Sequence, residues 1–165
     1  SITLGSVGQI DLNPLGTFSS QVKIDWGGAG DPSIEVIEYF KTTLGTYGQN
    51  RWYFVGGPGH PGESAVSSLP GCPLTAPYTH CAQIPLQGLT QDFRILRIRP
   101  FYANADVEVS AVGAGSYIPL QNFTLESTAR TDEGLTRKVQ VTRNALPALP
   151  AAFDYALFSS GSITK

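Results

Sequence analysis

"FRILRIRPFY", residues 93–102, alternates arginine with aliphatic residues in a way that decides the fold. In an extended chain Leu96 and Ile98 point to one side, with Arg94 at the edge of that row, while Ile95, Arg97 and Arg99 point to the other. A period of two in a segment rich in isoleucine specifies a β-strand. The same stretch poses the functional question. Three arginines within six positions are either cross-strand charge partners inside a sheet or contacts for a polyanion.

The chain on either side carries the same period, and helical spacing is hard to find. "QVKIDW" (21–26) sets Val22, Ile24 and Trp26 against Lys23 and Asp25, and "GQIDLNPL" (8–15) sets Ile10 and Leu12 on one face. "SIEVIEYFK" (33–41) and "RWYFV" (51–55), joined by "TTLGTYGQN", read as a hairpin. After "RIRPFY" the tetrapeptide "ANAD" suits a tight turn into "DVEVSAVG" (106–113). That turn is expected to bring Asp106 and Glu108 beside Arg97 and Arg99 as cross-strand charge pairs. "SYIPLQNFTLEST" and "GLTRKVQVTR" alternate too, with Val139 and Val141 expected inward and Lys138, Gln140 and Thr142 outward. A proline-spaced run, "ALPALPAAFDYALF", closes the pattern. Eight or nine short strands at this spacing predict an all-β fold, an antiparallel, sandwich-like sheet domain spanning residues 1–165 as one unit.

Residues 56–91 break the alternation. They are rich in proline and glycine and read as one long loop insertion. Cys72 and Cys81 close a ten-residue segment within it, "CPLTAPYTHC". A disulfide is the expected state and implies an extracytoplasmic compartment. Free thiols are one alternative. A metal site recruiting His80 and His60 is another, but the spacing fits no C-x2-C or H-x3-H pattern.

Composition narrows the functions. The chain has 165 residues, 15% of them charged, and a net charge of −2, so no global basic field draws it to DNA or an anionic membrane. The charge is uneven: residues 1–93 hold three basic and seven acidic side chains, and 94–165 hold eight and six. No apolar run approaches the length of a membrane span, and no signal peptide is visible. The ends, "SITLGS" and "SSGSITK", suggest an ectodomain cut or processed from a longer chain.

Catalytic signals are weak. "GESAV" (62–66) places Ser64 after Gly-x but has Val66 where a nucleophile elbow needs glycine. His60 and His80 read as exposed loop histidines. "DWGGAGD" (25–31) lacks cation-loop ligand spacing and reads as a turn. "GGPGHPG" (56–62) lacks the Lys-Ser/Thr of a phosphate loop. "NFT" (122–124) matches a glycosylation sequon inside an expected strand. "FTLE" (123–126) is similar to the start of a processed type IV pilin, but Asn122 precedes it and "STARTDEG" follows, so it too reads as strand. No cofactor or metal is expected.

"RIRPFY" (97–102), "IPLQNFTLESTART" (118–131), "RKVQVTR" (137–143) and "LPALPAAFDYALFSSGSIT" (146–164) together resemble the extracellular part of PilX-type minor pilins, a group that includes competence-associated type IV pilus proteins. "IDL", "VKIDW" and "PSIEVIEYF" are similar to the opening strands of that family. The resemblance implies a β-rich head carried by an N-terminal hydrophobic helix that is not among these residues. It implies a bacterial, extracellular, non-enzymatic subunit whose partners are other pilins, with membrane contact only through that helix. It implies roles in assembly, adhesion or DNA uptake, with Arg94, Arg97 and Arg99 as candidate contacts for DNA or a surface ligand. The alternative from the residues themselves is a secreted carbohydrate-binding β-sandwich with Trp26, Trp52 and Tyr53 as its stacking platform; a secreted hydrolase using His60 or Ser64 is a third reading.

Overall fold

The computed structural model describes residues 1–12, 20–42, 44–57, 72–87, 94–113 and 116–144. Among these residues nine strands follow in chain order: β1 (Gly8–Asp11), β2 (Gln21–Gly27), β3 (Ser33–Lys41), β4 (Tyr47–Phe54), β5 (His80–Pro85), β6 (Arg94–Phe101), β7 (Asp106–Ala111), β8 (Asn122–Arg130) and β9 (Thr136–Asn144). They form three antiparallel sheets, ordered β1-β6-β3-β4, β5-β2-β7 and β8-β9.

The alternation read from the sequence becomes a single buried apolar cluster fed by the first two sheets. β2 contributes Val22, Ile24 and Trp26, and β5 contributes Ala82 and Ile84. Ile34, Val36, Phe54, Leu96 and Ile98 come from the four-stranded sheet. Each fully buried Val, Leu or Ile stabilises the fold by roughly 1.5–3 kcal/mol. The expected β3–β4 hairpin is present, although β4 begins at Tyr47, so the turn is tighter than the sequence implied. It closes through Thr42 N–H to the Thr46 carbonyl at 2.7 Å.

Chain crossings between the two sheets use backbone that only certain residues tolerate. The β2–β3 connection turns at Gly28 (φ +149°), Gly30 (+90°) and Asp31 (+44°), so "GGAGD" is a turn as read. A Cβ on Gly28 would lie 2.7 Å from the Asn104 carbonyl oxygen, so backbone approach as well as φ requires glycine there.

Three expectations need correction. "ANAD" does not make a hairpin. β6 pairs with β3 and β1, whereas β7 pairs with β2, so the chain passes from one sheet to the other at 102–105. Asp106 and Glu108 are therefore not cross-strand partners of Arg97 and Arg99. Second, the 56–91 insertion contains a strand: β5 pairs with β2 from Gln21↔Pro85 to Trp26↔His80. Its short run hides between prolines, yet Ala82 and Ile84 face the core in strict alternation. Third, Val139 and Val141 alternate as expected but are 60% and 52% exposed. β8 and β9 pair only with each other among the described strands, and every residue in both is exposed. The closing proline-spaced run at 145–158 lies outside the described residues.

Candidate functional site

The three arginines of β6 lie on two faces, as their alternation requires, and all three are engaged by acceptors within the fold. Arg99 stands opposite Glu35 in register and meets it at 2.6 Å, while its guanidinium lies 4.8 Å from the Phe101 ring centroid. Glu35 is fully buried and also receives Arg51 Nη1 at 2.9 Å. Arg97 is 2% exposed and donates from Nη1 to Gln9 Oε1 at 2.9 Å. Structural pairing, the first of the two readings of this stretch, is present, but its acids come from β3 rather than β7. The guanidiniums of Arg94 and Arg97 are buried, which removes most of the surface a phosphate would need.

Arg94 meets Glu38 at the end of the core-facing row of β3, with Nε 3.4 Å from Oε1, and its Nη2 donates to the Gln87 carbonyl at 2.7 Å. Glu38 is fully buried and accepts from Asn50 Nδ2 at 3.1 Å and Gln87 N–H at 2.9 Å. Burial pushes the Glu38 carboxyl above the ordinary 4.5, against the lowering effects of Asn50, Gln87 and Arg94. Burial likewise lowers the Arg94 guanidinium, with Glu38 opposing.

A carboxyl raised in the folded state binds its proton more tightly there than in the unfolded chain. Its contribution to stability is full below the unfolded value and is lost as pH climbs through the folded one. Glu38→Gln is therefore expected to abolish a downward slope of stability that the wild type shows from about pH 4.5 upward. Urea unfolding at stepped pH checks it; parallel curves for the two proteins would refute the assignment.

The cysteines form the expected disulfide, with Cα atoms 5.9 Å apart. On chain-entropy grounds a ten-residue closed loop contributes roughly 2–3 kcal/mol. The loop it closes lies over the side of the three-stranded sheet turned away from the core. There Lys23 Nζ donates to Thr75 Oγ1 at 2.7 Å and pairs with Asp25 at 2.9 Å. Glu108 stands directly opposite Asp25, and Asp106 lies two residues along the same face. Partial desolvation, then the Glu108, Asp106 and Asp25 carboxylates, raise the Tyr78 phenol above its ordinary value. Leu74 at the loop tip is 58% exposed.

Trp26 is 3% exposed in the core, Trp52 packs against the core, and Tyr53 faces the opposite way beside Arg51. They share no stacking face. His80 is not an exposed loop residue: it opens β5 and stacks on Trp26, ring centroids 5.3 Å apart. His60 and Ser64 lie outside the described residues. Among the described residues no cluster of three His, Cys, Asp or Glu side chains could hold a metal.

The feature that sequence reading undervalued is the β8–β9 ribbon. Every residue in both strands is exposed. Its register puts Phe123, Leu125, Ala129, Val139 and Val141 on one face with Ser127, Arg137 and Arg143. The other face carries Asn122, Thr124, Glu126, Thr128, Arg130, Thr136, Lys138, Gln140, Thr142 and Asn144. "TRKVQVTR" announced this two-sidedness; nothing local could announce the lack of cover. Asp11 N–H donates to Gln121 Oε1 at 2.6 Å and so ties the ribbon's base to β1. No family model matches the chain, and no curated protein or solved structure matches it.

Proposed function

We propose that the chain is the non-enzymatic, sandwich-like head of a minor subunit of a bacterial type IV pilus, displayed outside the cell and working in assembly and tip presentation for adhesion or DNA uptake. The sequence resemblance over 94–164 supplies the family. The supporting structural observation is the amphipathic β8–β9 ribbon, with Phe123, Leu125, Val139 and Val141 each more than half exposed. A two-stranded ribbon is marginal alone in water, and a contiguous apolar stripe on a soluble surface marks an interaction site. A subunit that ends up packed among others has a use for such a face. If DNA is captured, the exposed cations of the ribbon, Arg130, Arg137, Lys138 and Arg143, are better placed than the engaged arginines of β6.

Mass spectrometry of filaments sheared from the source cell tests this reading. Peptides of this chain are expected in the filament fraction, joined upstream to a Phe-initiated apolar helix of about 20 residues. Recovery only from the medium, behind a conventionally cleaved leader, would rule the pilus out. Trp26 and Trp52 leave the glycan-binding alternative without a common platform.

A further inference from the structure

The ribbon's apolar face has a charge signature of its own. Arg137 and Arg143 border the stripe near its two ends, about 20 Å apart at strand rise, and no acid shares that face. Elsewhere the chain presents the complement. At one end of the three-stranded sheet Asp106 is 65% exposed and Glu108 is exposed two residues away, with Tyr78 of the disulfide-closed loop hydrogen-bonded to Glu108. Lys23 is committed to Asp25 and Thr75, so it leaves that outer edge acidic. Asp106 also lies 3.8 Å from the Ser1 amino group, an exposed pair of the kind that contributes little.

We propose that the arginine-bordered apolar face of the β8–β9 ribbon docks on the Asp106–Glu108–Tyr78 surface of a second copy of this chain. This inference rests on the assembly reading above. The two surfaces differ, so the contact is heterologous and builds an open head-to-tail series rather than a closed pair. Each face is small. Two strands of nine residues give roughly 300 Å² a side, below the ~800 Å² per partner of a stable complex. The contact is therefore weak between free heads and is reinforced where subunits are held side by side. A symmetric ribbon-on-ribbon pair would place four arginines in one small contact with no acid on either face.

Charge exchange tests the docking. Sedimentation equilibrium of the wild-type head into the millimolar range is expected to show concentration-dependent association without a fixed end point, weakening as salt rises. Arg137→Glu with Arg143→Glu should abolish it, as should Asp106→Lys with Glu108→Lys. Mixing the two variants should restore it, because each then meets a complementary face on the other. That rescue also shows that both variants are folded. A wild type that stays monomeric, or association that survives either reversal, overturns the docking. So does a mixture that remains monomeric. None of these outcomes touches the filament test, so a failed docking leaves the pilus reading standing.

Discussion

Glu35→Ala is expected to cost about 3–5 kcal/mol of unfolding free energy, the range for breaking a buried ion pair by removing one partner. Glu35 is the only acid between Arg99 and Arg51 among the described contacts, and it is fully buried. Its loss leaves Arg99, 14% exposed, without its carboxylate at 2.6 Å. Arg51 is a third exposed and can turn to water, so its share is discounted. Arg51→Ala should accordingly cost well under 1 kcal/mol. Glu35→Gln, which retains an acceptor, should fall between the two. Replacing the pair together, Glu35→Leu with Arg99→Met, should recover most of the loss, because neither residue then leaves the other's charge stranded. Urea unfolding at neutral pH measures all four. A Glu35→Ala protein within 1 kcal/mol of wild type would mean that solvent reaches this cluster.

Those arginines also show how far local pattern can carry a reading. Alternation in "RILRIR" placed Leu96 and Ile98 in the core and separated Arg94 from Arg97, because side-chain direction in a strand depends only on position. Which acid each arginine meets depends on strand order. A four-residue connection usually joins neighbours, so Asp106 and Glu108 were the natural guess. The chain instead crosses to the second sheet there, and β3 supplies Glu35 and Glu38, on opposite faces of one strand. No local spacing encodes that choice. β5 was missed for another reason: six residues flanked by proline-rich chain give too few periods to register, although Ala82 and Ile84 carry them.

For the ribbon the limit was burial rather than pattern. Val139 and Val141 do share a face, as the sequence implied, and the register sets Phe123 and Leu125 on it too. Hydrophobicity on one face normally predicts a core because a packed layer usually covers it. Here the face is exposed, and a sequence cannot distinguish a stripe that packs within its own chain from one awaiting another. The disulfide was legible because two cysteines nine residues apart in a proline-rich segment admit few other uses. The role of its loop was not, since Thr75 meets Lys23 and Asp25 only after β2 and β5 have paired.

Trp26→Ala should be the most damaging single truncation in the core, at about 3–5 kcal/mol. The indole is 3% exposed and tilts against Phe54 of the other sheet at 5.7 Å between centroids. It also stacks on His80 of β5 at 5.3 Å. Its Nε1–H donates to the Pro32 carbonyl at 2.9 Å and so anchors the connection that carries the chain from β2 to β3. One side chain thus joins both sheets and the backbone between them. Trp26→Phe keeps much of the apolar contact but orphans the Pro32 carbonyl, for an expected cost of about 1–3 kcal/mol. The difference between the two variants separates packing from the hydrogen bond. The same experiment bears on glycan binding. Any loss of sugar retention in Trp26→Ala should follow the unfolded fraction, because a core indole cannot stack on a ligand. Retention lost in a Trp26→Phe protein with its fold and stability intact would mean that the indole reaches solvent, and would place it in a binding face after all.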